Sequence, residues 1–310
     1  MPSASRLALL LRAVGCLQAA AALAAALCWW SRTPVAAALG ALLILFAAPI
    51  VLASEFVLLA AVTRADKRVP RAPGTQLASA WLAETCQLFR VFYWRQPLRW
   101  RTPPDYLPAD ARGRRGVVFV HGLVCNRGFW RPWMLRLRAL GHPYVAVNLE
   151  PVFGSIDAYA PIVDAAVRRV TACSGRPPML VCHSMGGLVA RSWLRSVAAP
   201  ARVAHVVTIA SPHHGTWLAR FSRTANGCQM QLGSAWLLQL TRDEQGLARP
   251  RWTCWYSNCD NIVFPPATAI LAGADNRFLA GQAHVSLAFQ PELIEATLAA
   301  LTASDRVLSR

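Results

Sequence analysis

Hydrophobic patterning divides the chain into three parts. In the first, residues 13–30 (AVGCLQAAAALAAALCWW) carry no charge and end on Trp29 and Trp30. Residues 35–54 are again uncharged, and apolar character continues past Glu55 to Val62. Each run meets the ~20 residues needed to cross a hydrocarbon core of ~30 Å. Only Ser31-Arg32-Thr33-Pro34 lies between them. The pattern predicts a transmembrane helical hairpin, about 13–30 and 35–62, with the tryptophans at one interface and a kink at Pro49. A secretory signal fits less well, because its apolar stretch is usually ~7–15 residues and no second run follows at once.

The second part, residues 77–100, reads LASAWLAETCQLFRVFYWRQPLRW. Trp81, Phe89, Phe92, Tyr93, Trp94 and Trp100 interleave with Arg90, Arg95, Arg99 and Arg101. That mixture suits an amphipathic element at a lipid interface; a helix packed in front of a domain is the alternative. Three prolines and a Gly-Arg-Arg-Gly turn then break structure, so a compact domain is expected from about Gly116. The expected division is an anchor over 1–71, an interfacial segment and linker over 72–115, and a folded domain over 116–310.

In the third part short apolar runs alternate with helical stretches. Val117–Val120, Tyr144–Leu149, Met179–Cys182 and Val203–Ala210 read as buried strands. Helices are expected over about 155–171 and 188–197. Strands alternating with helices imply an α/β fold, a mostly parallel sheet covered on both faces, with functional loops at the carboxyl ends of the strands.

Composition changes the picture in two respects. Lysine and arginine number 32 against 15 acidic residues, for a net charge of +17. The excess is spread along the chain (7 basic against 2 acidic in 1–71, leaving 25 against 13), with no dense basic arm, which favours an anionic membrane surface over nucleic acid. Lys67 is the one lysine, an arginine bias that with the abundant alanine resembles a GC-rich bacterial genome. Positive flanks set the orientation. Arg6 and Arg12 precede the first span, and Arg64, Lys67, Arg68 and Arg71 follow the second, with Arg32 alone in the turn. The positive-inside rule then predicts a multi-pass protein of a bacterial inner membrane with its folded domain in the cytoplasm. The nine cysteines form no C-x-x-C pair; unpaired thiols are expected there, and a Cys254–Cys259 bridge only in an oxidising compartment.

Candidate chemistry sits where the strands end. Met179–Cys182 runs into His183-Ser184-Met185-Gly186-Gly187 and then a helix. A serine in such a tight strand-to-helix turn presents its hydroxyl beside amide donors that favour a developing anion. The segment resembles the G-x-S-x-G nucleophile elbow of the α/β-hydrolase family, with Cys182 in place of the first glycine. His121-Gly122-Leu123, after the first strand of the domain, is similar to the oxyanion loop of bacterial lipases and esterases. Ser211-Pro212-His213-His214-Gly215-Thr216 looks like the matching segment of bacterial triacylglycerol lipases. The resemblance covers about 116–300. It implies an α/β-hydrolase fold, Ser184 as nucleophile, and the backbone amides of Leu123 and Met185 as the oxyanion hole.

The family order requires an acid and then a histidine after the serine. Asp260, in Asn258-Cys259-Asp260-Asn261-Ile262-Val263-Phe264-Pro265, resembles the family's acid loop, with Asp275 as runner-up. His284 matches the histidine loop; His205 falls inside a strand, and His213 and His214 precede any acid. The expected triad is Ser184, Asp260 and His284, with His121 shaping the oxyanion loop and His183 packed beside the nucleophile. Leu232, Trp236, Leu237 and Leu240 share one helical face that either caps the acyl pocket, as the resemblance implies, or faces the core. The expected activity is membrane-anchored ester hydrolysis on a lipid or other ester. An acyltransferase or thioesterase with the same triad, and a decayed non-catalytic domain, are the alternatives. No cofactor or metal is expected: the chain has no P-loop, G-x-G-x-x-G or H-E-x-x-H.

Overall fold

Every strand of the single sheet runs parallel to its neighbours, as alternating strands and helices require. The computed structural model describes residues 5–306; residues 1–4 and 307–310, the ends of the expected anchor and folded domain, lie outside the described residues. Strands β1 (Val117–Val120), β2 (Tyr144–Ala146), β3 (Met179–His183), β4 (His205–Ile209), β5 (Arg251–Tyr256) and β6 (Asp275–Phe278) lie in the order β2-β1-β3-β4-β5-β6. The register aligns Val120 with Cys182 and Cys182 with Thr208, so β1 and β3 end side by side. This is the α/β-hydrolase arrangement that the motifs imply.

The strands read as unbroken apolar runs because both faces are covered. Val118, Val120, Leu180, Cys182 and Val206 point into one core beneath helices Ala160–Ser174, Met185–Val197 and Ala235–Asp243. Val117, Phe119, Met179, Val181 and Val207 point into the other, beneath Arg131–Ala139 and Pro291–Arg306. The strand expected over 144–149 stops at Ala146, and β6, which the apolar pattern does not mark, adds a polar edge.

The amino-terminal part differs from a plain hairpin followed by a linker. Helices α1 (Arg6–Trp30) and α2 (Pro34–Leu45) form the antiparallel pair, and α3 (Ala47–Val62) follows after a break at Phe46. The run expected over 35–62 is therefore two helices. The break lies three residues before Pro49, which sits in the first turn of α3, where a missing N–H costs little. Gln18 answers the break: its Nε2 donates to the carbonyls of Ile44 (2.8 Å) and Leu45 (3.2 Å), and Tyr93 Oη donates to its Oε1. Unmet carbonyls in an apolar setting are costly, so this one polar side chain in α1 permits the turn. Arg6–Trp30 and Ala47–Ala65 are long and apolar enough to cross a membrane.

Helix α4 (Gly74–Leu88) and the π-helical turns Phe89–Arg95 have two faces. Ala80, Glu84, Val91, Gln96 and Trp100 are buried, while Leu82, Trp94 and Leu98 are exposed. One side of the segment thus packs against the folded domain, and the other is exposed. Residues 100–105 are held by Arg127, whose fully buried guanidinium donates to the carbonyls of Trp100 and Pro103 and pairs with Asp105 at 3.0 Å.

Candidate active site

β3 delivers Ser184 into a backbone conformation that side chains rarely adopt, φ 54° and ψ −127°. Such strain persists where the surroundings over-determine it. Here the Ser184 amide donates to Ile209 at 2.9 Å, and helix Met185–Val197 begins with the next residue. Gly186 lets that helix abut β1: a Cβ there would meet the Val120 carbonyl at 2.5 Å. Gly122 lets the oxyanion loop pass against the elbow, since a Cβ would lie 2.7 Å from Ser184 Cβ. Leu123, next to Gly122, lines the same cavity as Ser184, and Met185 lies in the first helical turn, whose amides have no intrahelical acceptor.

Cys182 occupies the position of the missing elbow glycine without distorting the turn. Its thiol is buried in the core under the helices, and burial pushes it well above an ordinary cysteine, so it stays protonated and serves as packing. Cys182→Gly is expected to keep ester hydrolysis within a few-fold while lowering stability by about 1–2 kcal/mol. Loss of hydrolysis in a folded variant would give the thiol a part in the reaction.

The acid and histidine loops leave the carboxyl ends of β5 and β6. Asp260 is buried, and its Oδ1 accepts from the amides of Ile262 (3.0 Å) and Val263 (2.8 Å) and from His284 Nδ1 (2.9 Å). Burial depresses the His284 imidazolium, but the charge and hydrogen bond of Asp260, with Glu84 and Glu55 nearby, outweigh it and raise His284 above the ordinary imidazole value. The runner-up Asp275 opens β6, ion-paired with Arg277 at 2.8 Å and level with Thr253. That is the amino end of the strand, away from the loops. The side chain of Asp305, another carboxylate after Ser184, lies outside the described residues.

Four other histidines make hydrogen bonds within the fold. Leu149 donates its amide to His121 Nε2 (3.0 Å), and His121 Nδ1 donates to the Gly122 carbonyl (2.9 Å). Burial lowers His121 to about 4, so this neutral ring braces the oxyanion loop. His183 stacks on Phe129 and donates from Nε2 to the His284 carbonyl at 3.1 Å. His205 bonds Thr253 within the sheet, and His213 bonds Thr208 behind it.

Ser184 and His284 line a cavity of about 380 Å³. One wall comes from Thr216, Leu218, Ala219 and Met230. Helix Ala235–Asp243 instead buries Leu237 and Leu240 in the core, so the cap lies earlier in the chain than the 232–240 face. The opposite wall comes from Leu52 of α3 and Glu84 and Leu88 of α4. Sequence reasoning missed this contribution. Each candidate loop takes at least one polar side chain from the amino-terminal segment. Gln96 Oε1 accepts from Asn126 on the oxyanion loop (2.6 Å), and Glu55 Oε2 from Asn261 on the acid loop (2.7 Å). Glu84 accepts from two amides of the histidine loop. A signal existed: Glu55 is the one charged residue between Arg32 and Arg64, and Glu84 the one acidic residue between Asp66 and Asp105.

Comparison with known proteins bears on the fold and the family. The chain is 33% identical over 125 residues to probable esterase PIR7A of rice, in both the indica and japonica subspecies. The match takes in 36% of this chain and 46% of the relative, so the chain spans about half the length of the curated relatives it matches. Lipase B of Aspergillus fumigatus superposes with a TM-score of 0.53 at 20% identity, over 64% of this chain and 55% of that one. Lipase BlEst2 of Bacillus licheniformis in its propeptide form gives 0.55 at 19%, over 64% and 52%. At those identities the likeness is one of fold. The Alpha/beta hydrolase family model matches residues 117–308, from the first residue of β1 through the final helix, and the chain belongs to that family.

Proposed function

We propose that the protein is a membrane-anchored serine hydrolase of carboxylic esters, working through an acyl-enzyme on Ser184. The observation that carries this reading is the 2.9 Å bond from His284 Nδ1 to Asp260, on a histidine that shares one cavity with the strained Ser184. With Nδ1–H held by Asp260, neutral His284 keeps Nε2 free to accept a proton. As Ser184 Oγ attacks the ester carbonyl, its proton passes to His284. The amides of Leu123 and Met185 receive the negative charge of the tetrahedral oxygen. Collapse breaks the acyl–oxygen bond, and the departing alcohol takes the proton from His284. Water then repeats the sequence on the acyl-enzyme and releases the acid.

Membrane anchoring is supported by Leu17, Leu23, Leu27, Trp30, Leu39 and Leu43, all exposed on α1 and α2. Arg12 is not free to reach lipid phosphates, because its Nε donates to the Pro97 carbonyl at 2.7 Å. The positive flanks at Arg64, Lys67, Arg68 and Arg71 favour a cytoplasmic hydrolase domain. The testing experiment is fluorophosphonate labelling of the purified full-length protein in detergent, with p-nitrophenyl esters of increasing chain length. Stoichiometric label at Ser184 is expected, with turnover along the series. The acid limb of kcat/KM should lie above the ordinary imidazole value, because the base must be neutral and its pKa is raised. No label in a folded protein would leave a non-catalytic domain.

A further inference from the structure

We propose that Glu84 is a positioning residue for His284, supplied to the active site by the helical segment that precedes the hydrolase fold. The inference rests on the reading of Ser184, His284 and Asp260 as the reacting set. Glu84 lies on α4 and is 3% exposed. Its Oε1 accepts the amide of Val285 at 2.7 Å, and its Oε2 accepts the amide of Ser286 at 2.9 Å. These are the two residues after His284. The backbone of His284 is held on its other sides as well: its amide donates to Asn261 Oδ1 at 3.2 Å, and its carbonyl accepts from His183 Nε2. Asp260 can orient the imidazole only if the backbone carrying it is fixed, and Glu84 supplies two of the four backbone bonds.

The residue type matters. A carboxylate offers two acceptor oxygens and no donor, so it satisfies two converging N–H groups at once. A glutamine in the same place would satisfy one and set its own NH2 against the other. The site also tolerates a cost, since a charge without water is disfavoured. Burial holds the Glu84 carboxyl up at about 7, with the two amides and His284 opposing and Asp260 adding to it. Glu55 of α3 is the further charge facing it. Glu84 in its ionised form favours the His284 imidazolium, as the charges of Asp260 and Glu55 do. A helix that only filled space would need no carboxylate there.

The test uses the full-length protein in detergent and the variants Glu84→Gln and Glu84→Asp. Glu84→Gln is expected to lower kcat by roughly tenfold or more with KM nearly unchanged, because the histidine is misplaced and the pocket is not. Its acid limb of kcat/KM should move to lower pH, since the charge that raises His284 is gone. Glu84→Asp keeps the charge one methylene short, so its limb should return toward wild type while kcat stays reduced. Wild-type kcat and limb in Glu84→Gln would overturn the proposal. So would a loss of kcat with an unmoved limb, which is what a purely structural residue gives. Should the variants not fold, the imidazole of His284 is titrated by NMR in the wild-type protein. It is titrated again in Asp260→Asn: a pKa still above the ordinary imidazole value without the Asp260 charge supports the proposal, and one at or below it overturns it. Ser184→Ala separates the two readings: hydrolysis surviving that change removes the serine mechanism, whereas its loss together with wild-type behaviour of Glu84→Gln removes only the role of Glu84.

Discussion

Ser184→Ala is expected to abolish fluorophosphonate labelling and ester hydrolysis in a protein whose melting temperature is unchanged or higher. The substitution removes only an oxygen, and in alanine form the elbow keeps its Ile209 hydrogen bond. Asp260→Asn and His284→Ala should each lower turnover by roughly three or more orders of magnitude. The two differ in structural consequence. Asp260 Oδ1 accepts the two loop amides and the imidazole alike, so an asparagine that keeps its carbonyl there retains all three bonds without the charge that stabilises the imidazolium, and one that puts its NH2 there gives up the loop bonds and turns a donor toward the histidine. In that second orientation Nδ1 becomes the acceptor and Nε2 carries the proton, which is the wrong tautomer for a base. His284→Ala instead opens space beside His183 and should also lower stability. Turnover measured on purified variants, with circular dichroism as the folding control, checks all three. Normal turnover by Asp260→Asn would remove Asp260 from the reaction, and a loss in Asp275→Asn would then move the acid to β6.

How far these residues were readable from sequence depended on whether their surroundings carry a pattern. β1, β3 and β4 are short, β-branched and buried on both faces, and each runs directly into a motif; their position could be read to within a residue or two. β6 could not, because Asp275-Asn276-Arg277-Phe278 is an edge strand with polar side chains on its open side. The break at Phe46 was equally hidden. Alanine and leucine fill both sides of it, without the glycine that usually marks a turn, and the group that makes it affordable, Gln18, is 26 residues away. Pro49 was the visible signal and pointed to the wrong residue. Ser184, Asp260 and His284 carry motif context, whereas Glu55, Gln76, Glu84 and Gln96 act through contacts with loops 30 to more than 200 residues away. Spacing says nothing about such partners. What remains visible is the anomaly of a lone carboxylate in an apolar or basic stretch, and both such carboxylates bond to the loops around the candidate site.

Deleting residues 1–71 provides the second large expected effect, and the structure reverses the simplest expectation for it. Were α1 to α3 an anchor alone, the remaining chain would hydrolyse short soluble esters normally and lose only its hold on bilayer-borne substrates. The deletion, however, takes away Leu52 from the cavity wall and Glu55 from its bond to Asn261, the residue that also holds the His284 amide. It strips Phe56 and Leu59, both buried, from a cluster shared with Ala80 of α4 and with Cys259 and Phe264 of the acid loop. Two buried apolar side chains at about 1.5–3 kcal/mol each suggest a fall in melting temperature on the order of 10 °C. Turnover of p-nitrophenyl acetate should fall by roughly tenfold or more, because the loop that carries Asp260 and the backbone of His284 lose support together. In the full chain, Glu55→Ala should reproduce part of that loss without touching the exposed apolar surface of α1 and α2. Measuring both proteins on the soluble ester, beside vesicle flotation, separates the two roles. Full soluble-ester turnover by the truncated chain would leave α1 to α3 no part in the reaction, whereas a loss matched in part by Glu55→Ala places these helices inside the catalytic unit.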